Sequence, residues 1–307
     1  MNTDSNKVLI LGNGFDLDLG WNTRFSDYIK SAYWPKNKHP GSILSYLESR
    51  INLVNWFDLE FEIGRYFSGL GTRKDSKITR GINRDYFLQL ADGFAHYLSE
   101  VTKAPLISDS VAAKVLSAVL DNSNFLSIYS FNYTSLHDIA ANLGLHGHFR
   151  YEHVHGSLKD NSLIIGAPED VELNPGYEFL YKTFHEHYGS NSLIHDLHDA
   201  KEVVFFGHSL GPTDYHYFQK FFKDQCAEGL SRQAAKKITI FTYDNDSRLA
   251  ILKQLRQMNE KRTNLLYNQN DFKIIMTCKG ECPELQEFLK HLCHTKKHSS
   301  MITNIFA

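Results

Sequence analysis

The stretch from Lys7 to Asp16 constrains this chain more than any other. Val8, Leu9, Ile10 and Leu11 run without interruption into Gly12-Asn13-Gly14-Phe15-Asp16. An apolar run with no polar alternation belongs to a strand covered on both faces, which means a parallel strand with helices above and below it. Glycines at its end let the backbone turn sharply into a helix. A chain that opens in this way needs further strand–helix units to complete its sheet. They follow from Phe125 onward. Strands are expected at Phe125–Ser130, Tyr151–His155, Leu163–Ile165, Glu202–Phe206, Lys237–Tyr243 and Phe272–Met276. Helices are expected at Tyr133–Leu143, Tyr177–Ala200 (broken near Gly189), Asp214–Cys226, Asp246–Gln257 and Pro283–Cys293. This alternation predicts an α/β fold, a Rossmann-like and mostly parallel sheet with helices on both faces.

Between the first strand and Phe125 the pattern is different. Phe25–Tyr33, Ile43–Leu53, Trp56–Phe67, Asn83–Val101 and Asp109–Leu120 have helical spacing, and Gly69–Gly81 reads as a loop. In the fourth segment Phe87, Leu90, Phe94 and Leu98 mark one helical face. The expected organisation is an α/β domain formed by residues 1–25 and 125–293, a helical insertion at 26–124 after the first strand, and a tail at 294–307.

Composition narrows the function classes. Lys and Arg number 33 against 35 Asp and Glu, a formal charge of −2, so nucleic acid is not indicated as a partner. No apolar run approaches the ~18 residues of a membrane span. Met1–Asn6 is polar, and four cysteines are too few for a disulfide scaffold. A soluble, cytoplasmic protein is the expectation.

In doubly wound folds ligands gather beyond the carboxyl ends of the strands. The residues there are Gly12–Asp16, Phe131-Asn132-Tyr133-Thr134, His155-Gly156-Ser157, Gly207-His208-Ser209 with Asp214, and Tyr243-Asp244. Gly12 and Gly14 fit either an ordinary strand-to-helix turn or a loop that a phosphate can approach. Leu17 stands where a full G-x-G-x-x-G has its third glycine. Asn132 can hold a water or a ribose hydroxyl, or cap a helix. A histidine side chain can serve as a general base, so His155 is either such a base or a satisfied structural histidine. Strand alternation puts His153 and His155 on one face. No metal site is expected. The pairs His153/His155, His185/His187 and His195/His198 lack a third ligand at an obvious spacing. Cys278, Cys282, Cys293 and His294 do not follow a standard zinc spacing.

Taken together, Ile10–Asp16, Gly20, Thr23-Arg24-Phe25, Trp56-x-Asp58-x-Glu60, Ser130–Thr134, His153–Gly156 and Phe206–Gly211 with Asp214 resemble the signatures of the AbiH family of bacterial abortive-infection proteins, from about residue 7 to residue 245. The same corners resemble a remote, zinc-free sirtuin-like domain. Against that pattern Asp16 replaces a small hydroxyl residue, Thr134 replaces an aspartate, and the zinc-binding cysteines are missing after His155.

The resemblance implies hydrolysis of NAD, as substrate rather than cofactor, to ADP-ribose and nicotinamide. Asn132 and His155 would be the catalytic pair. Gly12, Asn13, Gly14, Phe15, Asp16, Arg24, Gly207, Ser209, Asp214 and Tyr243 would bind the dinucleotide, with Asp16 alternatively bracing its loop. A homo-oligomer and a phage-derived trigger are expected to control the activity, with the aromatic residues Tyr33, Trp34, Trp56, Phe57 and Tyr66 of the insertion as candidate interface. Two other readings stand beside this one: a nucleotide-binding sensor without turnover, and another enzyme, either a sirtuin-like deacylase or transferase or a metal-dependent nuclease.

Overall fold

The computed structural model describes residues 6–51, 58–68, 77–121, 125–147 and 149–292. Trp56, Phe57, the first eight residues of the expected 69–81 loop, Cys293, His294 and the expected tail lie outside the described residues.

Six strands form one all-parallel sheet: β1 (Lys7–Leu11), β2 (Phe125–Ser130), β3 (Tyr151–His153), β4 (Glu202–Phe206), β5 (Lys237–Thr242) and β6 (Asp271–Met276). Their order is β3-β2-β1-β4-β5-β6. β1 lies at the centre, with Ile10 opposite Tyr129 on one side and Phe205 on the other. Val8 and Ile10 face one core and Leu9 and Leu11 the other, none of them more than 2% exposed. The continuous apolar run thus has its cause in a strand with two buried faces.

Helices cover both faces. On one pack α1 (Asn13–Asp18), α6 (Val111–Leu120), α7 (Leu136–Asn142) and a last helix over residues 283–292. On the other pack α8 (Leu193–Asp199), α9 (Tyr215–Asp224), α10 (Asn245–Met258) and α11 (Thr263–Gln269). The Ser110 hydroxyl and the Asp244 carboxylate cap α6 and α10 by accepting the N–H groups of Ala113 and Ser247.

A third core belongs to α2 (Phe25–Ile29), α3 (Ile43–Ile51), α4 (Leu59–Ser68) and α5 (Lys77–Val101). Phe87, Leu90, Phe94 and Leu98 of α5 are buried in it, as their spacing predicts. α5 begins at Lys77, inside the stretch read as a loop. Tyr133, Ile165, Ala167, Tyr177 and Leu180 complete this core, whereas α6 packs on the sheet.

Three sequence readings are corrected. Leu163–Ile165 forms no strand: Ile164 donates to the carbonyl of His155 at 2.9 Å, and both isoleucines are buried. Tyr177–Ala200 is not mostly helical; short 3₁₀ turns at Glu178–Leu180 and Lys182–Phe184 precede α8. There Tyr177, Leu180 and Lys182 all turn inward, a spacing that no single helical face provides. α11 was not expected from the sequence.

Candidate active site

The strand order reverses between β1 and β4, and the loops leaving these two strands meet. A Cβ on Gly12 would stand 2.5 Å from the Cα of His208, and one on Gly14 2.6 Å from the Cα of Gly207. Gly207 itself has φ +64, and a Cβ there would lie 2.4 Å from Gly14. The glycines are therefore required by backbone-to-backbone packing at the switch point. The amides follow suit: Gly14 donates to the Gly207 carbonyl and Phe15 to that of Gly12, both at 2.9 Å.

Beneath this corner lies Asp16, 1% exposed. Asn132 Nδ2 donates to Asp16 Oδ1 at 2.9 Å and to the Gly12 carbonyl at 3.0 Å, and the Thr134 hydroxyl donates to Asp16 Oδ2 at 2.9 Å. Burial raises the Asp16 carboxyl to about 7 against the pull of these donors. Asn132 and Thr134 leave β2 and Asp16 leaves β1, so this network ties the first two strand ends together.

A second cluster lies beside it. His155 follows β3, His208 and Asp214 follow β4, Lys182 sits on the second 3₁₀ turn, and Glu60 comes from the first turn of α4. None of the five is more than 8% exposed. His155 Nε2 lies 3.2 Å from Asp214 Oδ1 and 3.3 Å from Lys182 Nζ. Lys182 Nζ donates to Glu60 Oε2 at 2.6 Å and stands 3.9 Å from Asp214 Oδ1. His208 Nδ1 accepts the N–H of Leu210 at 3.0 Å, so in the neutral ring its proton is on Nε2, 3.5 Å from Asp214 Oδ2. Leu210 holds this turn at φ 53, in the left-handed region that a leucine rarely adopts. The Phe131 ring packs edge-on against both imidazoles.

Asp58 brings Glu60 into place. Its Oδ1 accepts the N–H of Phe61 at 3.0 Å and so starts α4 where Glu60 must point inward. Three carboxyls, Asp58, Glu60 and Asp214, thus surround one buried lysine. Burial raises Glu60, with Asp214 and Asp58 adding to it and Lys182 and His155 opposing. Burial likewise raises Asp58. Burial also works against ionised Asp214, yet His155, His208 and Lys182 together hold it well below the ordinary carboxylate range. Lys182 is raised, since Glu60, Asp214 and Asp58 outweigh its burial. Environments that drive neighbouring carboxyls apart are the mark of acid–base sites. Glu60 Oε1 has no hydrogen-bond partner, and Asp214 Oδ1 has only its contacts with His155 and Lys182, which is costly in a core and ordinary in a site awaiting a ligand.

The family described as Bacteriophage abortive infection AbiH matches residues 8–230, more than two thirds of the chain. The chain belongs to the AbiH family. AbiH membership indicates a role in phage abortive-infection defence. A solved structure titled "Sir2-p53 peptide-NAD+" aligns with 85% of this AbiH chain and 95% of its own, at 11% identity and a TM-score of 0.33. The fold assignment rests on the strand order, not on that likeness. No curated protein matches the chain.

The AbiH fold groups the sequence-derived candidates unevenly. Gly12, Gly14, Asp16, Asn132 and Gly207 meet in the first network, and His155 and Asp214 meet in the second. Phe15 turns its side chain into the core. Its ring is 1% exposed and packs edge-on against Phe206, and its amide is taken by Gly12. Asp214 faces two histidines and a lysine within the cluster. Asn13 and Arg24 are exposed, with Arg24 near Asp27; Ser209 is half-buried, and Tyr243 is 64% exposed. His153 and His155 part company because β3 ends at His153, whose Nδ1 turns to the Asn132 carbonyl. Sequence reasoning missed Glu60, Lys182 and His208 as site residues. Asp58 and Glu60 had a signal in the Trp56-x-Asp58-x-Glu60 motif and His208 in its glycine corner; Lys182, alone among aromatic residues, had none. Among the described residues no group of three or more His, Cys, Asp or Glu is arranged to hold a metal ion, and no helix is long and apolar enough to cross a membrane.

Proposed function

We propose that this AbiH protein hydrolyses NAD to ADP-ribose and nicotinamide as its contribution to abortive infection. The observation that carries the reading is the buried His155–Asp214 pair at the carboxyl ends of a parallel sheet of order 3-2-1-4-5-6, next to the glycine corner at the switch point. The bond between ribose C1′ and the nicotinamide nitrogen breaks, and its electron pair leaves with the neutral base. A water oxygen bonds to C1′, and the water proton passes to His155. Asp214 compensates the imidazolium that results. Positive charge, present on the bound pyridinium and shifting to the ribose in the transition state, suits a pocket in which carboxyls outnumber lysines. The Asn132 amide hydrogens are committed to Gly12 and Asp16, so what it offers a water or a ribose hydroxyl is its Oδ1.

The cluster is nearly sealed from solvent, so resting turnover is low and α4 must shift for substrate to enter. A phage-derived trigger or a change of assembly between copies is the proposed cause of that shift, in a cytoplasmic setting. Incubation with NAD followed by chromatography of the products tests the reading directly. Free nicotinamide and ADP-ribose in equal amounts support it. Bound but unconsumed NAD would replace it with the sensor reading. In cells, the NAD pool should fall on infection with wild-type protein and hold steady with His155→Ala.

A further inference from the structure

His155 Nε2 has two neighbours that make opposite demands on it. Asp214 Oδ1, at 3.2 Å, requires a proton on Nε2. Lys182 Nζ, at 3.3 Å, requires a lone pair there. A neutral imidazole has one proton and satisfies only one of them. With Asp214 as partner, Nδ1 carries the lone pair and is free to act as a base. With Lys182 as partner, Nδ1 carries the proton, Nε2 is capped, and the ring takes no proton from water. Lys182 is itself held at 2.6 Å by Glu60, which comes from the helical insertion rather than from the sheet domain.

We propose that Glu60 and Lys182 are positioning residues that decide which nitrogen of His155 carries the proton, so that the insertion sets the readiness of the base. Ionised Glu60 draws the ammonium toward itself and leaves His155 to Asp214. Neutral Glu60 releases the ammonium toward Nε2 and Asp214. The other groups around this chain of contacts are Asp58 on the α4 side, Tyr133 after β2, His208 after β4, and His216 on α9. None of these gives Lys182 a partner as close as Glu60. The catalytic consequence rests on the hydrolase reading; the tautomer does not.

The decisive measurement is the long-range ¹H–¹⁵N spectrum of histidine-labelled protein, with His155 assigned by its loss in His155→Gln. In wild type the proton is expected on Nε2. In Glu60→Gln it is expected to move to Nδ1, and in the double variant Glu60→Gln/Lys182→Met to return to Nε2. The same tautomer in all three overturns the proposal. If Glu60→Gln does not fold, the double variant, which removes the pair as a unit, carries the test: a proton on Nδ1 there overturns it. Kinetics give the second arm. Glu60→Gln should lose about tenfold or more in kcat, with KM for NAD within about twofold, and Lys182→Met should restore most of the loss. An unrelieved loss in the double variant means that Glu60 does not act through Lys182. Should wild-type protein leave NAD intact, the hydrolase reading falls while the tautomer measurement still decides the inference.

Discussion

The two networks at the carboxyl end of the sheet are built on different principles. The Gly12–Asp16 corner is closed: its glycines fill with the Gly207–His208 backbone, and Asp16 takes hydrogen bonds from Asn132 and Thr134. The His155 cluster is open-ended. It leaves Glu60 Oε1 unpaired and gives one imidazole nitrogen two incompatible neighbours, Asp214 and Lys182. A satisfied network specifies a backbone, and an unsatisfied one stores the capacity to bind or move protons. The contrast teaches that backbone packing accounts for the glycines first read as a phosphate cradle, while the unsatisfied groups lie among the buried charges beside them.

Substitutions can break this contrast. His155→Ala should show the largest effect, a loss of about 10²- to 10⁴-fold in NAD turnover with little change in melting temperature, since Asp214 keeps His208 and Lys182 as partners. Wild-type turnover in this variant would move the chemistry out of the cluster. Lys182→Met removes the ammonium that Glu60 and Asp214, both buried, share and should destabilise by about 3–5 kcal/mol, read by denaturant unfolding. A much smaller change would mean that the carboxyls take up protons in its place.

Asn132→Ala probes the closed corner. It removes two donors and leaves the Gly12 carbonyl and Asp16 short of partners, at about 1–3 kcal/mol. If the corner is structural, stability suffers and KM for NAD rises. A selective collapse of kcat in a fully stable protein would return Asn132 to the chemical step. Asp16→Asn gives the most specific signal, one confined to a pH window. Burial raises the folded carboxyl from 3.8 to about 7, so the unfolded state ionises first. The stability cost therefore sets in as pH rises above about 4 and is complete above about 7. The melting temperature of Asp16→Asn relative to wild type should rise across that window, and a flat difference would show that Asp16 is ionised throughout.

Much of this was legible in the sequence because it rests on local pattern. The run Val8–Leu11 announces a doubly covered strand, Phe87, Leu90, Phe94 and Leu98 announce a helical face, and the polar corners at strand ends announce where a ligand site must lie. These signals need only the period of side chains along an element and the geometry of a turn. The segment Tyr177–Ala200 misled because its apolar and aromatic content reads as helix while its inward residues serve two different neighbours.

The sequence by itself determined the α/β class, the run of helices between β1 and β2, and the stations of Asn132, His155 and Asp214 beyond the strands. Only the tertiary structure decided that Asp214 belongs to His155, that Glu60 and Lys182 complete the cluster, and that Gly12 and Gly14 are filled by the loop after β4. The physical reason is separation along the chain. Glu60, His155, Lys182 and Asp214 lie on four segments that local propensity forms independently, and nothing in the spacing of a lone lysine predicts a carboxylate more than a hundred residues upstream. Their meeting point is set by the parallel order of the strands and by the way α4 of the insertion folds back over the sheet's carboxyl edge, and there burial turns ordinary charged residues into a coupled site.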